Sequence, residues 1–365
     1  MKKKVSLVLV TMTAAAILAG CSASGKAGQE TTKAEEVSTE KQVHSENAEV
    51  SSKTNEKELS LTIYSPGNEN SVPTKTIIKY AELVREASDG RITLEVHHSG
   101  ELGNDAEALT SVRMGTIDLI FAGTSGFTEF YDSAKILDMP FIFKDADQAY
   151  KVTNGAIGEE IFKDMEDSGL VFLAEGDNGM RQISTTEAGG PVHEAKDVEG
   201  LKLRVPTSQV YLDVWETLGA NPVALALPEL AIALSNGTAE GQDNATYHLV
   251  ANATYDDIKN FSFINYMWMG CTMAANKDVW EGLSADDREI LKEQAIVAAK
   301  YSFDTIKEDN KKARKTLEEA GVVFDDTPDI QSFKDKLGGT DFYKRYEDES
   351  WYNQEIMDQL LSMNQ

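Results

Sequence analysis

Apolar and polar residues alternate in strand-like and helix-like patterns from Leu59 onward. Strands are predicted where apolar residues fall at every second position, and helices where they fall at every third or fourth. The predicted elements are, in order, a strand over 59–63, a helix over 74–88, a strand over 92–96, a helix over 105–114 and a strand over 117–121. This strand and helix alternation with short connections predicts a mainly parallel sheet covered on both faces.

A second unit of the same kind begins after Gly200. Its predicted elements are a strand over 201–205, a helix over 208–218, a strand over 221–226 and a helix over 229–235 that Pro228 opens. A long helical stretch over 285–320 and further helical segments then run to the C-terminus. Two such units predict two lobes with a ligand cleft between them, because ligands of open α/β sheets bind beyond the carboxyl ends of strands.

The N-terminal region has a different pattern. Lys2, Lys3 and Lys4 precede an apolar stretch over 5–18, and Leu18-Ala19-Gly20-Cys21 follows directly. This arrangement resembles a bacterial lipoprotein precursor, which implies that residues 1–20 are a signal peptide and that Cys21 is lipidated; the alternative is an ordinary cysteine after a plain cleavage site. Residues 21–58 then form the lipidated cysteine and a polar, disordered tether. Cys271, the one other cysteine, is predicted to be a small buried hydrophobic residue.

The charge balance excludes whole classes of partner. The 365 residues include 35 Lys and Arg against 61 Asp and Glu, so the formal net charge is −26. A surface of that sign repels nucleic acids and anionic lipid headgroups, and we expect no nucleic-acid partner. The sequence contains no phosphate-binding loop, no nucleophile elbow, no zinc-protease motif and no CxxC pair, and its five histidines have no metal-ligand spacing. We therefore expect neither an enzyme nor a bound cofactor or metal.

Two arginines are candidate anion-binding groups in this acidic chain. Arg181 follows Asp177-Asn178-Gly179-Met180, and Arg204 is predicted to face outward at the carboxyl end of the strand over 201–205. A guanidinium group can bind a carboxylate through two parallel hydrogen bonds. Taken alone, each arginine could equally form a surface salt bridge to one of the many acids.

An ordered set of motifs resembles a known receptor family. The motifs are Gly100-Glu101-Leu102-Gly103, Val112-Arg113-Met114-Gly115-Thr116-Ile117-Asp118, Leu137-Asp138-Met139-Pro140-Phe141, Asn178-Gly179-Met180-Arg181, Lys202-Leu203-Arg204-Val205-Pro206, Leu218-Gly219-Ala220-Asn221-Pro222 and Gly241-Gln242-Asp243-Asn244. Together they resemble the extracytoplasmic solute receptors of TRAP transporters, the DctP-like family, from about Leu59 to Ala299. The resemblance implies an α/β fold of the periplasmic-binding-protein type (class II) with two lobes, a cleft between them and long C-terminal helices. We place the first lobe at 59–181 plus about 270–309, and the second at 182–269 plus about 310–365.

The same resemblance implies the ligand-binding residues. It assigns the carboxylate anchor to Arg204 and places Arg181, Gln242 and Asn244 beside it. Asp105, Thr124 and Ser125 would line the first lobe, and Leu227 would pack on the ligand. Some positions depart from the family pattern, since Gly123, Ala231 and Ala245 stand where larger or different residues are usual.

The resemblance further implies an extracytoplasmic transport receptor. Such a receptor closes on a small organic acid and delivers it to a sodium-coupled permease with small and large membrane components. The lipid at Cys21 would anchor it to the outer face of the cell membrane, in a bacterium with a single membrane. We expect a sugar acid such as a uronate first and a C4-dicarboxylate second. A receptor that senses a ligand for a signalling partner is the alternative role.

Overall fold

Nine strands form one mixed sheet within residues 57–363, which are the residues that the computed structural model describes. The strands are β1 (Leu59–Tyr64), β2 (Ile92–His97), β3 (Leu119–Gly123), β4 (Leu170–Thr186), β5 (Lys202–Val205), β6 (Asn221–Ala224), β7 (Gly241–Asn244), β8 (Ile258–Asn276) and β9 (Val323–Asp325). Their order across the sheet is β2-β1-β3-β8-β4-β7-β5-β6, and β9 pairs with β8. The predicted α/β class with two lobes is confirmed.

The centre of the sheet differs from the sequence prediction. Parallel pairs occur between predicted strands, in β1 with β2 and β3 and in β5 with β6, and also between β5 and β7, a strand that the sequence analysis does not predict. However, β4 and β8 are antiparallel to each other. In addition, β8 is antiparallel to β3, and β4 is antiparallel to β7. The expectation of a mainly parallel sheet is therefore wrong at the centre, because these two long strands are buried on both faces and lack the alternation that identifies a strand.

Twelve α-helices surround the sheet in the described part of the chain. They are α1 (Val72–Ala87), α2 (Asp105–Arg113), α3 (Thr124–Phe127), α4 (Ala146–Thr153), α5 (Ala156–Phe162), α6 (Gln209–Thr217), α7 (Leu230–Ser235), α8 (Thr246–Ala251), α9 (Lys277–Gly282), α10 (Ala285–Glu319), α11 (Ile330–Lys336) and α12 (Gln354–Ser362). Short 3₁₀ helices cover Asp132–Asp138, Met165–Ser168, Ala195–Val198, Leu227–Glu229 and Gly339–Tyr346. None of the helices at 57–363 is both long enough and apolar enough to cross a membrane.

Capping residues explain several helix starts. Asn104 accepts a hydrogen bond from the backbone N–H of Glu107, whose carboxylate accepts one from the N–H of Asn104. This reciprocal pair satisfies two backbone donors at the start of α2. Ser284 similarly caps α10, a helix of 35 residues that was predicted over 285–320. Helix α2 therefore begins at Asp105, one of the predicted site residues.

Hydrogen bonds join the segment after α10 to the loop at Pro140 and to helix α6. The Tyr343 hydroxyl donates to the backbone oxygen of Pro140 at 2.6 Å, while the Tyr346 hydroxyl donates to Asp213 on α6 at 2.6 Å. Cys271 is fully buried, as predicted. The predicted signal peptide, Cys21 and the tether over 21–58 lie outside the described residues, apart from residues 57 and 58. The lobe boundaries stay a prediction.

Candidate ligand-binding site

Arg204 lies buried at the carboxyl end of β5, next to β7. Only 3% of its surface is exposed, so the expectation that it faces outward is wrong. Its Nε and Nη2 atoms both donate to the backbone oxygen of Leu225, at 2.9 and 2.6 Å. Burial lowers the pKa of Arg204 to about 10, which leaves it charged at neutral pH. Two of its five N–H groups are used, and no carboxylate of the described residues forms a salt bridge with it.

Arg181 is also buried but already has an anionic partner. Its Nε and Nη2 atoms donate to the two carboxylate oxygens of Asp243, each at 2.8 Å, and its Nη2 also donates to the backbone oxygen of Asp243 at 2.6 Å. The guanidinium group lies 4.7 Å from the ring centre of Tyr211, and the Tyr266 hydroxyl donates to Asp243. The structure therefore gives Arg181 a bidentate ion pair within the protein, in addition to the ligand contact that the resemblance implies.

Gln242 and Asn244 bring amide groups to the same sheet. Gln242 is opposite Arg204 in the β5–β7 register, and Asn244 is opposite Gln182 in the β4–β7 register. The Oε1 atom of Gln242 is buried without a hydrogen-bond partner among the described residues. Asn244 accepts a hydrogen bond from the Ala245 N–H and uses no side-chain donor within 57–363. Both amides are thus able to bind a polar ligand group beside Arg204.

Leu227 lies two residues after Leu225, whose backbone oxygen accepts the Arg204 hydrogen bonds. It opens the 3₁₀ turn that follows Leu225, the residue whose carbonyl holds the guanidinium group. Its side chain is 36% exposed, and Ile232 on α7 is 68% exposed. Glu229 caps this turn by accepting a hydrogen bond from the Ala226 N–H. Leu227 is therefore an exposed apolar side chain beside the anchor.

Asp105 is the predicted acidic group of the first lobe. The residue is exposed to solvent, yet desolvation by the surrounding protein raises the pKa of its carboxyl to about 6. A side chain built at Gly126 on α3 would come within 3.3 Å of the Asp105 Cβ atom, so α2 and α3 are in close contact there.

Thr124 and Ser125 begin α3, directly after β3. Thr124 is buried, and its hydroxyl donates to Glu175 on β4, so it faces the protein interior. Ser125 is half-buried, and its backbone oxygen accepts a hydrogen bond from the Thr128 hydroxyl at 2.6 Å. Gly123 has only the Ser125 hydroxyl within 4 Å of an added Cβ atom, so a larger residue would fit there. Of the two predicted hydroxyl groups, Ser125 is the more accessible.

The predicted residues form two sets within the described chain. Arg204, Gln242, Asn244 and Arg181 share neighbouring strands, while Asp105, Thr124 and Ser125 share the α2 and α3 region. No side-chain hydrogen bond of the described residues joins the two sets. The site residues therefore lie on separate elements of the fold, as a ligand bound between two lobes requires.

Buried acids near these residues were missed by sequence analysis. Burial raises the pKa of Asp138 to about 7, of Glu175 to about 8 and of Asp177 to about 7. One carboxylate oxygen of Asp138 and one of Asp177 are buried without a partner in the described region. Glu175 and Asp177 follow an apolar run in the sequence, which could have indicated that they are buried. Acids are so frequent in this chain, however, that a pair of them does not identify a functional site.

No group of three or more His, Cys, Asp and Glu residues within 57–363 could hold a metal ion. Two surface cavities lie elsewhere. One, of about 190 Å³, is bordered by α5, the 132–138 turn and the C-terminal segment. The other lies along the exposed face of α1. The predicted ligand residues border neither cavity.

Comparisons with known proteins identify the family of this chain. Residues 32–348 match the family model DctP, described as bacterial extracellular solute-binding protein, family 7. The chain is 29% identical over 261 residues to the 2,3-diketo-L-gulonate-binding periplasmic protein YiaO of Escherichia coli (strain K12), covering 71% of this chain and 79% of that protein. It is also 29% identical over 250 residues to the C4-dicarboxylate-binding periplasmic protein DctP of Rhodobacter capsulatus, covering 68% and 74%.

A solved structure supports the same relationship. It is a TRAP periplasmic solute binding protein from Polaromonas sp JS666 bound to D-erythronate, with a TM-score of 0.77 and 27% identity. The match covers 83% of this chain and 98% of that chain. With the family model extending over most of the sequence, the chain belongs to the DctP family of bacterial extracellular solute-binding proteins and is a solute-binding protein of the TRAP type.

Proposed function

We propose that Arg204 binds the carboxylate of a small organic acid in the cleft. The observation that carries this proposal is a buried, charged guanidinium group with no carboxylate partner among the described residues. A buried charge is unfavourable unless it is paired. Because Leu225 holds the Nε side, three N–H groups on Nη1 and Nη2 remain for the two oxygens of a ligand carboxylate.

The preferred ligand is a hydroxylated sugar acid such as a uronate. Asp105, Ser125 and Asn244 supply acceptors and donors that suit ligand hydroxyls. Two of the similar proteins are named for binding 2,3-diketo-L-gulonate and D-erythronate, which are acids of this class. A C4-dicarboxylate is the second candidate, since a relative of equal identity is named for binding one.

The bound acid would favour the closed arrangement of the two lobes because it contacts residues of both. A ligand shifts such an equilibrium only by its higher affinity for one state, and here that difference would come from Arg204 on one side and Asp105 on the other. The closed receptor would deliver the acid to a sodium-coupled permease composed of small and large membrane subunits.

A thermal-shift screen of the purified protein tests the ligand class. The panel contains D-glucuronate, D-galacturonate, D-erythronate, succinate and fumarate, followed by titration calorimetry of any acid that raises the melting temperature. We expect a sugar acid to give the largest shift. A response to neutral sugars with none to acids would overturn the proposal.

Asp105→Asn separates the two ligand classes. For a sugar acid, this change removes a charged hydroxyl acceptor and should weaken binding. For a dicarboxylate, it removes a nearby negative charge and should strengthen binding, most clearly above pH 6 where the wild-type carboxyl is ionised. The direction of the affinity change therefore identifies the class.

Membrane anchoring through Cys21 is proposed on the sequence pattern. If the thiol carries the lipid, Cys21→Ala should release the receptor from the membrane fraction without altering ligand affinity. Full retention of the Cys21→Ala protein in that fraction would count against the anchor.

A further inference from the structure

Glu175 lies in a closely fitted site beneath the start of α3. It is on β4, is fully buried, and is the one glutamate among the described residues that is buried to this degree. Thr124 of α3 and Thr272 of β8 face its carboxyl group. A side chain at Gly270 would come within 2.0 Å of the Glu175 Oε1 atom and 2.6 Å of the Thr124 hydroxyl. Because Gly270 has no side chain, the Glu175 carboxyl group can occupy this space.

The three side chains form a closed ring of polar contacts. The Thr124 hydroxyl contacts Oε1 of Glu175, the Thr272 hydroxyl contacts Oε2 at 2.8 Å, and the two hydroxyls contact each other at 3.1 Å. Each contact needs one proton between its oxygens. The two threonines supply two protons, so an ionised Glu175 leaves one contact as two oxygens without a hydrogen.

A protonated Glu175 completes the ring. Oε2 then donates to Thr272, Thr272 donates to Thr124, and Thr124 donates to Oε1. Each of the three contacts then contains one proton, and every oxygen except the donating Oε2 accepts one hydrogen bond. Three contacts need three protons, and only the neutral form of Glu175 supplies the third. This argument from geometry does not use the pKa of Glu175.

The charged groups around Glu175 favour the same state. Asp138 from the 132–138 turn opposes ionisation of Glu175, and the electrostatic neighbours of Cys271 on β8 include Glu175, Asp105 and Asp177, all of them acids. Asn154 at the end of α4 is neutral and binds the backbone of Glu175. No described lysine, arginine or histidine forms a salt bridge with Glu175. Burial raises the pKa of its carboxyl to about 8.

We propose that Glu175 is a protonated positioning residue whose hydrogen-bond ring with Thr124 and Thr272 fixes the first-lobe wall of the ligand site. Loss of its proton opens the ring, loosens the turn that carries Thr124 and Ser125, and weakens ligand binding at alkaline pH. The inference rests on the proposed function, because that function makes this turn part of the site.

The first experiment needs no ligand and no mutation. Infrared spectra of the wild-type protein, with and without ¹³C-labelled glutamate, report the C=O stretch of a protonated glutamic acid at pH 7. We expect a label-sensitive band of this kind that disappears as the pH rises to 10. Since the other described glutamates are at least partly exposed to water, absence of the band at pH 7 would overturn the proposal.

The second experiment tests the link to binding. Calorimetric affinity for D-glucuronate is measured at pH 7 and pH 9 for wild type, Glu175→Gln and the exposed control Glu293→Gln. If only the protonated form binds, a pKa of about 8 predicts roughly tenfold weaker binding of wild type and of the control at pH 9. Glutamine can donate to Thr272 and accept from Thr124 at both pH values, so the affinity of Glu175→Gln should fall clearly less than that of wild type between pH 7 and pH 9.

The outcomes separate this inference from the ligand assignment. Equal pH dependence in wild type and Glu175→Gln would contradict the positioning role even with the infrared band present. If Glu175→Gln does not fold, the infrared spectrum of the labelled wild-type protein and the pH dependence of wild-type binding decide whether the proposal stands. If D-glucuronate binds neither protein at pH 7, this uronate is not the ligand, while the infrared band still decides the protonation state of Glu175.

Discussion

The two buried arginines should respond differently to the same substitution. Arg204→Lys keeps the charge but replaces a planar group that has three free N–H donors by an ammonium group with three in total. One of these is needed for the Leu225 carbonyl, and the remaining two cannot form parallel bonds to a carboxylate. We expect the loss of about one charge-assisted hydrogen bond, roughly 1.5–3 kcal/mol, or about 10- to 150-fold weaker binding.

Arg181→Lys is the matched control because it changes an arginine that has an internal partner. The wild-type group binds both oxygens of Asp243, and the substitution should therefore lower the free energy of unfolding of the ligand-free protein. Titration calorimetry measures the affinity and urea unfolding the stability of each variant. Near-native affinity of Arg204→Lys, or a loss of affinity in Arg181→Lys alone with unchanged stability, would refute the assignment of Arg204 as the anchor.

Three further substitutions test the buried polar groups. Asp243→Asn leaves the Arg181 charge without its partner and should cost about 3–5 kcal/mol of unfolding free energy, so a loss below about 1 kcal/mol in urea denaturation would contradict the pairing. Gly270→Ala should destabilise the protein by about 1–3 kcal/mol or more because its methyl group meets Glu175, whereas Gly282→Ala, with no atom within 4 Å, should melt like wild type in calorimetry. Burial raises the pKa of Asp177 in the folded state to about 7, so its stabilising contribution is present below about pH 4 and is lost as the pH rises through 7. Asp177→Asn should therefore flatten the decline of the unfolding free energy with pH in a series of unfolding measurements. An unchanged slope would argue against a buried acid that titrates near neutrality.

Local elements of the fold could be predicted because their sequence patterns are local. The strand over 59–63, the helix over 285–320 and the Pro228 turn each lie within two residues of the observed element. The pairing of β4 with β8 could not be predicted, because strands buried on both faces show no alternation and their partners lie about ninety residues apart. The direction of the central strands is set by the pairing of distant segments, which a local sequence pattern does not show.

The candidate site shows the same division. The residue type and strand position of Arg204 could be read from the sequence, but its burial and its bond to Leu225 depend on how β5 lies against β6. Glu175 could not be found, since its significance comes from two threonines that are 51 and 97 residues distant. Sequence motifs identify the side chains, while hydrogen-bond partners from distant strands determine their chemical state.

The net charge of −26 and an anionic ligand are compatible because the acids nearest the site are not all ionised. Desolvation raises the pKa of Asp138 to about 7 and that of Glu175 to about 8, so part of the negative charge that would repel the ligand is carried as neutral acid. Asp243 forms a buried salt bridge with Arg181, and that pair contributes little net charge. Arg204 therefore dominates the local field, while the remaining acids of residues 57–363, apart from the buried Asp177, are at least partly exposed, and salt screens them over about 8–10 Å. A rise in pH that ionises the buried acids adds negative charge close to the anchor, and ligand affinity should decline with that charge.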